Sequence, residues 1–508
     1  MSHTTLDTPS PAGSPERRTL RSSRSADLRS FIRRHPWWLV AAALLVFSAA
    51  VVLFVRTRPG YDPYGWLVWG YQTIHGNLDL GGAPSWKPLT WLFDVPFALF
   101  GHYALWLWMF TAVAGALGGA IFAGRLAYRL VARDSVAGSA GGRYPAIAAG
   151  VFAGFALLGI QDYFHYILSV QSDPMVVTLC LAAIDCHFGK HPRWAFVLGV
   201  LAALARPEVW PFLGLYAIWA WRTIPAMRWL ILAGLATIPA LWFGIPTITN
   251  GRPFVAGQLA LRSPRELHNN EVVGTWQRYT ALSYFPIELA AVVATVWGYL
   301  RRNWVVLALA GATLLWVLVE IAFVLHGWPG VPRYLFEPAA ATIVLAGVAV
   351  GWALQEAAKL RGRALAWVPA GLVALLVLAL VPGAIARVRK EHKDLYHERL
   401  RTTQINRLQS TINSLGGYKA VLACGRPVTN VEYVSIVAWM TRQDVGLIGH
   451  KPKFELRQKY PIVLFTPLTN GWAVQPHHLR PATQASCSSM TALYVPTAHH
   501  PGGVLVRH

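Results

Sequence analysis

Long apolar runs broken by short polar segments dominate most of this chain, and the runs share one length. They lie at 37–55, 102–123, 145–160, 174–188, 229–246, 285–300, 304–325, 338–356 and 366–386, most near the roughly 20 residues that a helix needs to cross hydrocarbon. Another apolar stretch, Trp194 to Trp221, is interrupted by Arg206-Pro207-Glu208. As one straight helix it would measure about 42 Å. Proline removes a helical hydrogen-bond donor and clashes with the preceding turn, so a hairpin of two short helices turning at Pro207 is expected instead. Charge supports the hairpin. With it, Arg125/Arg129/Arg133/Arg143, Arg222/Arg228, Arg301/Arg302 and Lys359/Arg361/Arg363 share one face, the cytoplasmic one; a single crossing would split them. About eleven spans follow.

After residue 386 the pattern changes. A polar helix is expected over Lys390–Leu415, then strand-like runs at Ala420–Ala423, Val434–Trp439, Ile462–Thr466, Ala492–Val495 and Val504–Val506, set apart by Gly, Pro and Asn. Residues 387–508 thus read as a small α/β domain. At the other end, residues 1–34 are a disordered basic tail leading into the run 37–55. Arg56 and Arg58 follow that run at once, which reads as an uncleaved anchor, not a removed signal. An amino terminus inside and an odd span count put the carboxyl-terminal domain outside.

Composition narrows the class. Hydrophobic residues make up 55% of the 508 and charged residues 13%, which excludes an ordinary soluble enzyme. The expected fold is a polytopic α-helical plasma-membrane protein with a small extracytoplasmic α/β domain. The formal charge of +22 sits partly in the cytoplasmic loops and partly outside, where anionic lipid or acidic glycan is attracted. No nucleic-acid motif accompanies it, so nucleic acid is not an expected partner. Cys424 and Cys487 lie in what would be an oxidising space, with pairing left open, and Cys180 and Cys186 belong to a span. Ala- and Arg-rich usage suggests a GC-rich bacterial genome.

The ionisable residues at the outer ends carry the candidate chemistry. The first outer loop, 56–101, holds Asp62, His75, Asp79, Lys87 and Asp94; the second holds Asp162, His165 and Asp173. Arg206 and Glu208 come from the hairpin tip, and Arg333, Tyr334 and Glu337 from the loop before run 338–356. Charge at membrane level is costly and tends to line protein cavities.

Asp62, a helix ending in His75-Gly76-Asn77, then Trp86-Lys87-Pro88-Leu89-Thr90-Trp91-Leu92 and Leu99-Phe100-Gly101 together resemble the first outer loop of the GT-C membrane glycosyltransferases. The likeness is to the branch with lipid A aminoarabinose transferases and protein O-mannosyltransferases, and it covers roughly 40 residues. Arg206-Pro207-Glu208 and Pro332-Arg333-Tyr334-Leu335 resemble family features too. Two departures stand out: Pro63 follows Asp62 where many members carry a second acid, and Lys87 is followed by one proline instead of two.

The resemblance implies a polyprenyl-phosphate sugar donor, used outside by an inverting transfer to a glycan or lipid acceptor without metal or other cofactor. Asp62 would be the general base. Lys87, Arg206 and Arg333, with Glu208, Tyr334, Trp66 and His75, would bind phosphate and sugar. Decaprenyl-phosphate arabinose or mannose is the expected donor in a GC-rich bacterium. Plainer roles stand beside these. Asp62 before Pro63 suits a helix N-cap, and Lys87 a snorkelling interface residue. Arg206 and Glu208 suit a mutual pair, and Arg333 and Glu337 an i,i+4 pair. Trp66 and Trp69 suit an interface belt or stacking on sugar. Asp79, Asp94, Asp162 and Asp173 are reserve acids. A transporter or flippase, and an inactive envelope-assembly scaffold, remain as alternatives.

Overall fold

The computed structural model of the protein describes residues 36–133, 140–261, 267, 270–360, 367–468, 471–488, 492–497 and 500–507; the expected basic tail 1–34 lies outside them. Every apolar run is helical. α1 (Pro36–Val55) leads into the first loop, which contains α2 (Tyr61–Ile74) and α3 (Pro88–Ala98). Then come α4 (Ala104–Arg133), α5 (Ala140–Leu158), the short α6 (Tyr163–Leu168) and α7 (Asp173–Phe188). The expected hairpin is present as α8 (Pro192–Ala203) and α9 (Trp210–Thr223). The Tyr216 hydroxyl lies 3.5 Å from the Pro192 carbonyl, so the chain has doubled back. α10 (Arg228–Pro239) continues through a π-helical turn, Ala240–Gly244, immediately after Pro239, as expected where proline withholds an N–H.

α11 (Glu271–Leu282) and α12 (Phe285–Leu300) meet at 97°. α13 (Trp304–Leu325), α14 (Phe336–Lys359) and α15 (Trp367–Ser414) complete the bundle. Among the described residues, 6 helices are long and apolar enough to cross a membrane, or 7 if the bent pair is one span. The sequence-based figure of about eleven also counted shorter apolar helices such as α5 and α8.

α14 is the axis of the bundle, packed by α4, α5, α7, α12, α13 and α15. Its sequence, PAAATIVLAGVAVGWA after Phe336-Glu337, is built for this. Between helices in a bilayer, small residues permit close backbone approach. A Cβ on Gly347 would come within 2.9 Å of the Ala149 carbonyl of α5, and one on Gly351 within 2.9 Å of the Ala149 methyl.

Two of the strands expected in the carboxyl-terminal part need correction, whereas the polar helix expected over Lys390–Leu415 is present as the last part of α15, which runs unbroken for 48 residues. No Gly or Pro lies between Ala384 and Ser414 to stop it. The segments Ala420–Ala423 and Val434–Trp439 are helical, within α16 (Tyr418–Cys424) and α17 (Val434–Thr441). Short apolar runs do not separate strand from helix by periodicity, and burial of α17 against α2 overrides the β-preference of its Val and Ile. The strands are β1 (Arg426–Val428), β2 (Ile462–Leu468), β3 (Gly471–His477), β4 (Ala492–Thr497) and β5 (His500–Arg507), in that spatial order. β1 and β2 are parallel and the rest antiparallel. Cys424 and Cys487 are disulfide-bonded, resolving a pairing the sequence left open, while Cys180 and Cys186 are free.

This domain is seated on the first loop. A Cβ on Gly82 would fall 2.7 Å from the Val445 carbonyl carbon, and one on Gly65 3.4 Å from the Ser435 hydroxyl. Thr402 of α15 accepts a hydrogen bond from the Arg58 amide at 2.8 Å. Across the same interface the carboxyls of Asp79 and Asp444 face each other. Burial and the adjacent Asp79 push Asp444 up to about 6. Asp79, though burial raises it, is held below its ordinary range by hydrogen bonds from Gly81 and Asn250. An acid whose folded pKa is raised contributes stability that is present below its unfolded value, near 3.9, and lost as pH rises through about 6. Asp444→Asn is therefore expected to gain stability relative to wild type progressively as pH rises from about 4 to about 7. Its stability relative to wild type should be greater by about 1 kcal/mol at pH 8 than at pH 5, discounted for partial exposure. Thermal unfolding at the two pH values checks this.

Candidate active site

The site begins where α2 begins. Gly60 precedes the helix and its amide donates to the Ser169 carbonyl at 2.9 Å. Asp62 lies in the first turn beside Pro63, so it is not the N-cap that the sequence suggested. Its carboxylate turns inward and accepts a hydrogen bond from Arg333 Nη1 at 3.2 Å. Lys87 is the extended residue before α3, whose start is set by Pro88. It turns inward instead of snorkelling, leaving 11% of its side chain exposed: Nζ donates to Ser172 Oγ at 2.8 Å and lies 3.4 Å from Asp173 Oδ1. The Leu89 amide donates to the Leu204 carbonyl at 3.1 Å, tying this loop to the hairpin turn.

The hairpin contributes Arg206 in extended conformation, because Pro207 opens the following 3-10 turn. The Arg206 guanidinium bonds Asp173 and reaches Glu208 at 3.4 Å. Arg333 enters on the turn Pro332–Leu335 before α14, and its Nη1 is also 4.0 Å from Asp173 Oδ2. The expected i,i+4 pair with Glu337 is not made; Asp62 takes Arg333 instead. The Tyr334 ring stacks on Arg206, 4.1 Å from its guanidinium carbon, and the Tyr166 ring lies 5.7 Å from that of Arg333. Burial first, then the charges of Arg206 and Arg333, pull the Lys87 ammonium well below its ordinary range. An anion bound here would reverse that pull.

Asp62, Lys87, Arg206, Glu208, Arg333 and Tyr334, all singled out from sequence, thus converge. His75 does not. It is exposed at the far end of α2, bonded to the Tyr71 carbonyl at 2.8 Å, about 20 Å along the helix from Asp62. Trp66 and Trp69 are each 1% exposed, so neither presents an open face to a sugar. Trp66 instead supports Lys87, with the ammonium 5.4 Å from its ring.

The hub of the site, Asp173, was read only as a reserve acid. Its 0% exposure and its position as first residue of α7 place it against three cations. The helix N-terminus adds partial positive charge. Asp173-Pro174 opening an apolar run was the available signal. Glu320, fully buried within α13, escaped notice, although a carboxyl inside an apolar run is itself a signal. Of the other reserve acids, Asp79 joins the domain interface described above, and Asp162 pairs with Lys390. Asp94 is buried beneath Gly70. Burial pushes Asp94 well above the carboxylate range, and neither of its oxygens has a hydrogen-bond partner among the described residues.

Beside the cations lies an apolar cavity of about 470 Å³ between α7, the α8–α9 hairpin, α13 and α14. Val177, Leu181, Phe212, Leu213 and Trp316 line it, and its one carboxyl is Glu337. Lining residues from Val177 to His187 span about 15 Å of α7. A cation-rich cluster that shares Glu337 with an apolar cavity has the chemistry to take an amphiphile with a negative head group.

Fold and site together define a helical membrane protein with a buried, cation-rich site at one end of its bundle. No protein-family model and no curated protein sequence matches the chain. Among solved structures it is similar to the crystal structure of ArnT from Cupriavidus metallidurans bound to undecaprenyl phosphate, at 15% identity and a TM-score of 0.48, over 91% of this chain and 96% of that one. For the apo state of the same protein the identity is 15% and the TM-score 0.46, over 88% and 95%.

Two substitutions separate hub from bystander. Asp94→Asn replaces a neutral acid by a neutral isostere and should change stability by less than about 0.5 kcal/mol. Asp173→Asn leaves three cations without their common counter-charge and should cost about 3 kcal/mol or more. Thermal unfolding of the two purified variants measures both.

Proposed function

We infer that this protein transfers a sugar from a polyprenyl-phosphate donor to a glycan or lipid acceptor at the outer face of the cytoplasmic membrane. The observation that carries the reading is the convergence of Lys87, Arg206 and Arg333 on Asp173, with the Asp62 carboxylate 3.2 Å from Arg333 and with Glu337, within electrostatic reach of Lys87 and Arg206, lining the apolar cavity. The prenyl chain would lie in the cavity and the phosphate on the three cations. Phosphate would compete with Asp173 for Lys87 and Arg206 and draw Arg333 away from Asp62. A carboxylate tied to arginine is a poor base, so donor binding would free Asp62 as it fills the site.

Transfer then follows from these groups. The acceptor hydroxyl attacks the anomeric carbon and gives its proton to Asp62. The bond from that carbon to the phosphate oxygen breaks, and the electron pair stays on the phosphate. The added negative charge falls on Lys87, Arg206 and Arg333 in a water-poor site, where fixed cations stabilise it most. One displacement inverts the anomeric configuration. No second acid follows Asp62 in the chain, since Pro63 stands there, so Asp62 is the base of this reading. The resemblance of the first loop to GT-C glycosyltransferases supports the same chemistry. Under this reading the disulfide-bonded carboxyl-terminal domain lies outside the cell, where oxidising conditions suit the bridge.

The test is transfer from radiolabelled decaprenyl-phosphate arabinose and mannose by purified protein in lipid, for wild type and Asp62→Asn. Wild type should transfer one of them, and Asp62→Asn should lose at least about 100-fold in rate while still binding donor. Full activity in the variant would remove Asp62 as base. Absence of donor binding by wild type would move a transporter or scaffold role to the front.

A further inference from the structure

Glu337 is buried at the first turn of α14, and no other residue donates a hydrogen bond to either of its oxygens. It also lines the apolar cavity next to the cations. Leaving a carboxylate unpartnered in such a place is costly. Groups within electrostatic reach of it come from every neighbouring element: Lys87 from the first loop, Tyr163 from α6, Cys180 from α7, Arg206 and Glu208 from the hairpin turn and Glu320 from α13. Glu320 has a cation of its own within reach, Arg278.

The charge balance at the mouth of the cavity is decisive. Lys87, Arg206 and Arg333 face the carboxyls of Asp62, Asp173, Glu208 and Glu337. Asp62, Asp173 and Glu208 are each ion-paired. With those three ionised the cluster is neutral, and an ionised Glu337 would make it negative before any ligand arrived. A phosphate adds at least one more negative charge, and like charges in a poorly screened site repel strongly. Binding an anion therefore requires the unpaired acid to hold a proton.

We propose that Glu337 binds the lipid phosphate as a neutral acid, its carboxyl O–H donating a hydrogen bond to a phosphate oxygen at the mouth of the apolar cavity. At pH values where Glu337 is ionised in the free protein, phosphate-lipid binding is then coupled to uptake of one proton from water. This rests on the polyprenyl-phosphate reading above and adds a binding residue and a proton to it. Glutamine imitates the neutral acid: it has the same shape, keeps a donor and never ionises.

The experiment measures the Kd of undecaprenyl phosphate for the full-length protein in nanodiscs between about pH 6 and pH 9, for wild type and Glu337→Gln. Titration of the probe's own phosphate is common to both proteins, so their ratio isolates Glu337. Expected are similar affinities, within about threefold, at the acid end. At the alkaline end Glu337→Gln should bind at least about tenfold tighter, because the wild type must first be protonated. A second readout is the infrared difference spectrum on lipid binding, which should show a protonated carboxyl band that Glu337→Gln lacks. Parallel pH profiles for the two proteins, or tenfold weaker binding by Glu337→Gln throughout, would overturn the proposal while leaving the functional reading intact. Absence of lipid binding by wild type at every pH would overturn both.

Discussion

The Asp173 carboxylate, fully buried at the start of α7, is the group around which this end of the molecule is assembled. Lys87 arrives from the first loop, Arg206 from the break in the α8–α9 hairpin and Arg333 from the turn before α14, and each approaches the same carboxylate. Burying three cations together would be prohibitive without a shared counter-charge. The irregular backbone that carries them follows from that requirement. Pro88 and Pro207 each open a helix or turn directly after an extended cation, while Pro332 opens the turn whose next residue is Arg333.

That arrangement suits an anionic ligand better than a permanent ion-pair network. Buried salt bridges contribute little net stability, and burial together with the charges of Arg206 and Arg333 holds Lys87 well below its ordinary range. A phosphate would supply negative charge to oppose that. Under the proposed function the apolar cavity would take the rest of the same ligand, and the domain seated on the first loop fixes α2, and with it Asp62, from the other side. α17 against α2, and the close approach of Gly82 and Gly446, leave that loop little freedom to move.

Much of this was legible in the sequence because the relevant signals are local. Span-length runs predicted helices, the Arg-Pro-Glu interruption predicted the hairpin, and Asp62, Lys87, Arg206, Glu208, Arg333 and Tyr334 were each marked by charge or aromaticity at the end of a run. What the sequence withheld is set by distant contacts. Asp173 is ranked as the hub only when three loops separated by many residues meet on it. By sequence His75 groups with the binding residues of the first loop, but it caps the far end of α2 from Asp62. Glu337 looked like the i,i+4 partner of Arg333 until Asp62 took that arginine. In the carboxyl-terminal domain, α16 and α17 read as strands because short apolar runs carry no period, and burial chose helix for them.

The central claim is that one lipid phosphate sits where Lys87, Arg206 and Arg333 meet, with its chain in the apolar cavity. A cryo-electron-microscopy structure of the protein in nanodiscs with a polyprenyl phosphate tests it most directly. The account predicts phosphate density within hydrogen-bond distance of Lys87 and at least one of the two arginines. It also predicts chain density along Val177, Phe212 and Trp316, and Asp62 released from Arg333. Lipid bound elsewhere, with the Asp62–Arg333 pair intact and the cavity empty, would contradict it.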